Sequence, residues 1–155
     1  MRRCFELVLV ALGALEGCGD FDPDYGAPRG TDVVDAGSGV SFGRDIRPLM
    51  NRTPYDVTGH GCAACHYSTQ SFHIGIDLGG LDMATLGALR KGGKTSGANI
   101  VIPGSPDASA IVQKLMGTYA FGSRMPKNGP PYWTAAEIGL VRTWIAEGAR
   151  GSDSE

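Results

Sequence analysis

Cys62-Ala63-Ala64-Cys65-His66 constrains this 155-residue chain more than any other run of residues in it. Two thiols three positions apart share one side of a helical turn, and the imidazole that follows projects from its end. Cys-x-x-Cys-His is the attachment pattern of c-type haem. Each thiol can add to a haem vinyl group, and the histidine then presents an imidazole to the iron from the proximal side. The expected cofactor is therefore one haem c, held covalently by Cys62 and Cys65 with His66 on the iron. The 24 glycines and 9 prolines point to short helices joined by much ordered loop.

Other chemistries use a Cys-x-x-Cys pair. A dithiol redox switch expects the strand–helix–strand pattern of a thioredoxin around it, which the flanking residues lack. A structural zinc site needs four ligands, so His60 and His73 would have to complete it. A plain disulfide between Cys62 and Cys65 leaves the adjacent His66 unexplained. The remaining cysteines, Cys4 and Cys18, lie in the leader.

That leader, residues 1–17, reads as an export signal. Arg2 and Arg3 make a positive start, and residues 7–15 form an apolar stretch too short to span a bilayer. Leu15-Glu16-Gly17-Cys18 resembles a bacterial lipoprotein cleavage box, which makes Cys18 the lipid-bearing first residue. Plain secretion and a buried N-terminal helix are the alternatives. Residues 18–41 read as an acidic flexible tether, with five aspartates against Arg29. Such a tether reaches about 25 Å in root-mean-square terms. The folded domain is expected over residues 42–150, with a disordered tail at 151–155. Within 42–150, eleven Lys and Arg face seven Asp and Glu, an excess of 11 − 7 = 4 positive charges. The whole chain carries a net charge of −2 and a pI near 5.9, which argues against nucleic-acid binding.

An electron-carrying haem takes a second axial ligand, commonly methionine or histidine. Met50, Met83 and Met116 fall on apolar helical stripes, where methionine fills cores. Met125 instead sits in Gly122-Ser123-Arg124-Met125-Pro126-Lys127-Asn128-Gly129-Pro130-Pro131, a loop too rich in Pro and Gly to be helix. Such a loop can be held rigid and carry a thioether across the haem face, so Met125 is the expected distal ligand. His73 is the rival; His60, six residues before His66, is poorly placed to reach the opposite face.

Four helical segments can be placed. Phe42, Ile46, Leu49 and Met50 fall at helix spacing around Pro48. Asp82 is expected to cap a short helix running through Arg90, and Ser105 to cap one that Gly117 stops. Thr134 and Glu137 make a capping box for a last helix with Ile138, Val141, Trp144 and Ile145 on one face. Residues 88–95 almost match a phosphate-binding loop, but Ala88 stands where its first glycine belongs, so no nucleotide is expected. Lys94 and Arg124 are candidates to pair with haem propionates. Tyr132 and Trp144 are read as core, with porphyrin packing the alternative.

Taken together, the chain resembles the cytochrome c superfamily, specifically the planctomycete-type cytochrome c domain. Phe42-Gly43-Arg44-Asp45-Ile46-Arg47-Pro48-Leu49, the 62–66 motif, Gly79-Gly80-Leu81-Asp82, Ile102-Pro103-Gly104-Ser105-Pro106, Met125-Pro126 and Trp144-Ile145-Ala146-Glu147-Gly148-Ala149 carry the likeness. The resemblance implies an all-α fold around one haem, with long ordered loops and with first and last helices crossing near the haem edge. It also implies His66 as proximal and Met125 as distal ligand. Two departures stand out: a longer segment at 51–61, and Tyr67 where a glycine is common. The expected function is one-electron transfer between donor and acceptor proteins of the cell envelope. The expected location is the periplasmic face of a bacterial membrane, with anchorage through lipid on Cys18. A five-coordinate haem enzyme or gas sensor, and a haem-bearing accessory subunit, are the alternatives.

Overall fold

A computed structural model of the chain describes residues 39–53 and 60–155. The leader, Cys18, most of the tether and part of the long 51–61 segment lie outside the described residues. Within them the fold is helical, without a strand. A π-helical turn, Phe42–Ile46, runs into α1 (Arg47–Met50). Then come α2 (Ala63–His66), α3 (Ile74–Gly79), α4 (Leu86–Lys91), a 3-10 turn (Gly97–Ile100), α5 (Ala110–Met116) and α6 (Ala135–Ala146). No helix among the described residues is long and apolar enough to cross a membrane.

α6 is the longest element, and its sequence explains both its start and its buried face. The Thr134 hydroxyl accepts from the Glu137 backbone N–H, and the Glu137 carboxylate accepts from Thr134 N–H at 2.7 Å. Two donors that no helical carbonyl can reach are thereby satisfied. Glu137 also pairs with Arg52, which ties this cap to the segment after α1. Ile138, Val141, Trp144 and Ile145 turn inward from α6. Trp144 meets Phe42 with ring centroids 5.2 Å apart, so the first and last helical segments join through an aromatic pair.

The two middle helices begin later than their sequence signals suggest. Asp82 does not cap α4; Thr85 does, its hydroxyl accepting from Ala88 N–H. Asp82 Oδ1 instead accepts from the N–H groups of Ser68 and Ala84, bridging the chain after His66 to the approach to α4. Likewise α5 starts at Ala110, with Ser109 at its cap position. The buried Ser109 hydroxyl donates to Ser105 O and accepts from Ile102 N–H, so it stabilises the turn ahead of the helix. Gly117 ends α5 with φ of +80°, as its position suggests. Gly92 ends α4 at φ of +72°, where a Cβ would lie 1.7 Å from the Gly97 carbonyl oxygen.

Residues 151–155 lie against the start of α4. Leu86 and Gly87, at the start of α4, donate their backbone N–H groups to the carbonyls of Glu155 and Asp153. Arg90, one turn further on, pairs with Asp153. The first N–H groups of a helix need acceptors, and the chain end supplies them.

Tyr67, the departure at the residue after His66, is a structural hub. It is buried; its hydroxyl donates to Asn51 Oδ1 at 2.7 Å and accepts from Arg47 Nη1 at 3.2 Å. Arg47 Nη1 also reaches the carbonyls of Met83 and Ala84, and its guanidinium lies 4.9 Å from the Phe42 ring centroid. One tyrosine thus links α1, α2 and the approach to α4. Replacing it by phenylalanine keeps the ring and removes both hydrogen bonds. Tyr67→Phe is expected to lower unfolding stability by about 1–2 kcal/mol, read as a lower denaturant midpoint with an unchanged m-value.

Candidate haem site

α2 is a single turn closed by its own cap: the Cys62 carbonyl accepts from Cys65 N–H and from His66 N–H at 2.9 Å. This turn puts both free thiols and the imidazole together in four residues of backbone advance. It is gripped from both ends. Cys62 N–H donates to Met50 O at 2.7 Å, and Met83 N–H donates to His66 O at the same distance. These two bonds tie the turn to the end of α1 and to the approach to α4.

The imidazole has a defined chemical state. His66 Nδ1 lies 3.0 Å from the Leu81 carbonyl oxygen. A carbonyl only accepts, so Nδ1 carries the hydrogen, and in the neutral ring Nε2 presents its lone pair. A metal-binding histidine needs that tautomer. Burial, followed by the nearby Cys65, pushes the Cys62 thiol up to about 12. A raised pKa is the opposite of what a reactive redox thiol requires. Among the described residues, no group of three His, Cys, Asp or Glu side chains is arranged to hold a metal ion.

Met125 lies on a separate wall. Its backbone N–H donates to Lys114 O at 2.9 Å, and Arg124 Nε donates to Leu115 O at 2.8 Å. Lys114 Nζ in turn holds the carbonyls of Phe121 and Ser123. The loop after α5 is therefore stitched to the last turn of that helix, leaving Met125 half-buried. No hydrogen bond joins Met125 to the 62–66 turn among the described residues. The tie between the two walls is Trp133, whose Nε1 donates to His60 O at 2.7 Å. His60 Nδ1 is a buried polar atom without a hydrogen-bond partner among the described residues. His73 stands at the cap position of α3, its Nδ1 3.1 Å from Asp77 Oδ1.

Several side chains fall elsewhere than expected. Met50 and Met83 are core, but Met116 is 47% exposed. With Arg124, the propionate candidate, and with Trp133 and Ile138 it lines an open groove of about 490 Å³ whose lining includes none of Cys62, Cys65, His66 and Met125. Lys94 caps the end of α3 by donating to the carbonyls of Asp77 and Leu78. The Arg124 guanidinium sits 4.0 Å from the Tyr132 ring centroid. Trp144 is fully buried against Phe42, as the core reading expected. Tyr67 is the residue that sequence patterning undervalued; its place beside His66 was the available signal.

The donor set fits a c-type haem: two unpaired thiols on one turn, followed by an imidazole whose Nε2 is reserved. Residues 62–129 match a protein-family model described as planctomycete cytochrome C. This segment is a planctomycete-type cytochrome c domain. The match opens on Cys62 and runs past Met125, so it contains both walls of the site. No curated protein and no solved structure matches the chain significantly. The cytochrome c domain makes this a cytochrome-type haem protein.

The raised Cys62 pKa has a measurable consequence in the haem-free cytochrome. Its thiol stays protonated through pH 8, becoming a thiolate only as the pH approaches about 12. Alkylation of Cys62 by iodoacetamide at pH 8 is expected to run more than tenfold slower than that of an unstructured cysteine peptide. Peptide-resolved mass spectrometry over time measures it, and the difference should vanish in denaturant.

Proposed function

We propose that this protein is an exported c-type cytochrome with a single haem, passing one electron at a time between redox proteins of the cell envelope. The observation that carries the reading is the His66 Nδ1–H···O=C bond to Leu81, which reserves Nε2 beside two free thiols. Cys62 and Cys65 would hold the haem through thioether bonds, with His66 on the proximal side of the iron and Met125 on the distal side. When bound, the haem supplies a one-electron Fe(III)/Fe(II) couple.

The chain's own residues account for the rest. The Leu81 carbonyl orients the imidazole and, by accepting a hydrogen bond from Nδ1–H, raises its basicity as a ligand. The loop tied to α5 through Lys114 presents Met125 from a fixed backbone. A thioether opposite imidazole raises the reduction potential, which suits a carrier. The excess of positive charge over residues 42–150 favours acidic docking partners. Lipid on Cys18 and the acidic tether would keep the domain near the periplasmic face of a membrane.

Absorption spectra of the oxidised and reduced protein, matured in a host competent for c-type cytochromes, test the proposal. The pigment should remain with the polypeptide after acidified organic extraction, and the haem should be low-spin. Met125→Ala is expected to convert it to a form that binds carbon monoxide stoichiometrically, where the wild type binds little. An unchanged spectrum in Met125→Ala with a changed one in His73→Ala would establish bis-histidine ligation instead.

A further inference from the structure

The His66 ring meets a second element besides Leu81, the backbone of α3. An ideal Cβ built on Gly75 would lie 2.5 Å from His66 Cε1, 2.6 Å from Nε2 and 2.7 Å from Nδ1. Real Cβ atoms essentially never come so close, so any side chain at 75 must displace the imidazole or the helix. The backbone of Gly75 gives no reason for glycine, because its φ lies outside the left-handed region. Glycine inside a helix is ordinarily a liability that alanine would relieve. Its one evident role is to leave space for the ring.

The rest of α3 sharpens the contrast. Gly79 follows Gly75 by one turn on the same side of the helix, and a Cβ there meets nothing within 4 Å. Ile74 and Leu78, on the adjacent strip, are 38% and 70% exposed. The helix is therefore not generally crowded on its glycine side; the close approach is confined to the one position beside the imidazole.

We propose that Gly75 is a positioning residue for the axial imidazole. By offering bare backbone to the ring, it lets α3 and the Leu81 carbonyl together set the orientation in which His66 presents Nε2. The proposal rests on the haem reading of residues 62–66. It assigns α3 a part in tuning the iron without touching it.

The test compares full-length wild type, Gly75→Ala and Gly79→Ala, each matured with haem, by electron paramagnetic resonance of the oxidised protein and by redox titration. Gly75→Ala is expected to show shifted g-values or a new high-spin fraction, with a shifted midpoint potential, and Gly79→Ala to match the wild type in all of them. Failure of Gly75→Ala alone to take up haem, with the circular dichroism of its haem-free chain unchanged, also supports the assignment. Wild-type g-values and potential in Gly75→Ala overturn it. So do shifts of equal size in both variants, or loss of uptake in both or together with the helical signal. A wild type that never acquires covalent pigment would overturn the haem reading itself, a distinguishable failure.

Discussion

The hydrogen bond between His66 Nδ1 and the Leu81 carbonyl determines what the rest of the site can do. Without it the imidazole could rotate and exchange tautomers, and the two adjacent thiols would be a dithiol with a histidine nearby. With it, Nδ1 carries the hydrogen, and in the neutral ring Nε2 keeps its lone pair. Leu81 is held in turn by its neighbours, since Asp82 bonds to Ser68 and Ala84 and Met83 bonds back to His66. The ring is held within a closed set of hydrogen bonds, most of them to backbone groups, between residues 66 and 84.

Around this loop the molecule is built from short helices that cannot stand alone. Helices of four to seven residues are well below the length that is stable in water. They persist because each is tied at its ends to another part of the chain: α1 through Arg47, α4 through the chain end, α5 through the loop bearing Met125. The stability of the haem turn therefore depends on side chains far from it in sequence. Arg47 contacts Phe42 and Tyr67 and bonds to residues 83 and 84, joining the aromatic pair of the first and last helical segments to the histidine's own anchorage.

Features governed by a few adjacent residues were legible in the sequence. The Thr134–Glu137 box, the stop at Gly117 and the inward face of α6 depend on local spacing, and each appears where that spacing places it. The 62–66 motif likewise encodes its own turn. What sequence left hidden depends on partners from elsewhere. Asp82 and Ser105 both have residue types suited to caps, but the Ser68 amide draws on Asp82 and Ser109 binds the Ser105 carbonyl, so each helix starts a turn later. Residues 151–155 are polar and short enough to read as a frayed end; the α4 amides their carbonyls meet lie about 65 residues away in sequence, out of reach of any local pattern. Helix α3 carries three glycines across residues 74–80 and exposes its apolar side chains, so it lacks the buried stripe that marks a helix in sequence.

Both tryptophans of the chain are buried and each donates its indole N–H to a backbone carbonyl, Trp133 to His60 and Trp144 to Arg150. Trp133 therefore reports from beside the 62–66 turn, and Trp144 from the junction of the first and last helical segments. A porphyrin absorbs where indoles emit, so in a domain of this size a bound one would darken both rings, and their glow would return only as the chain opened and carried them away from it.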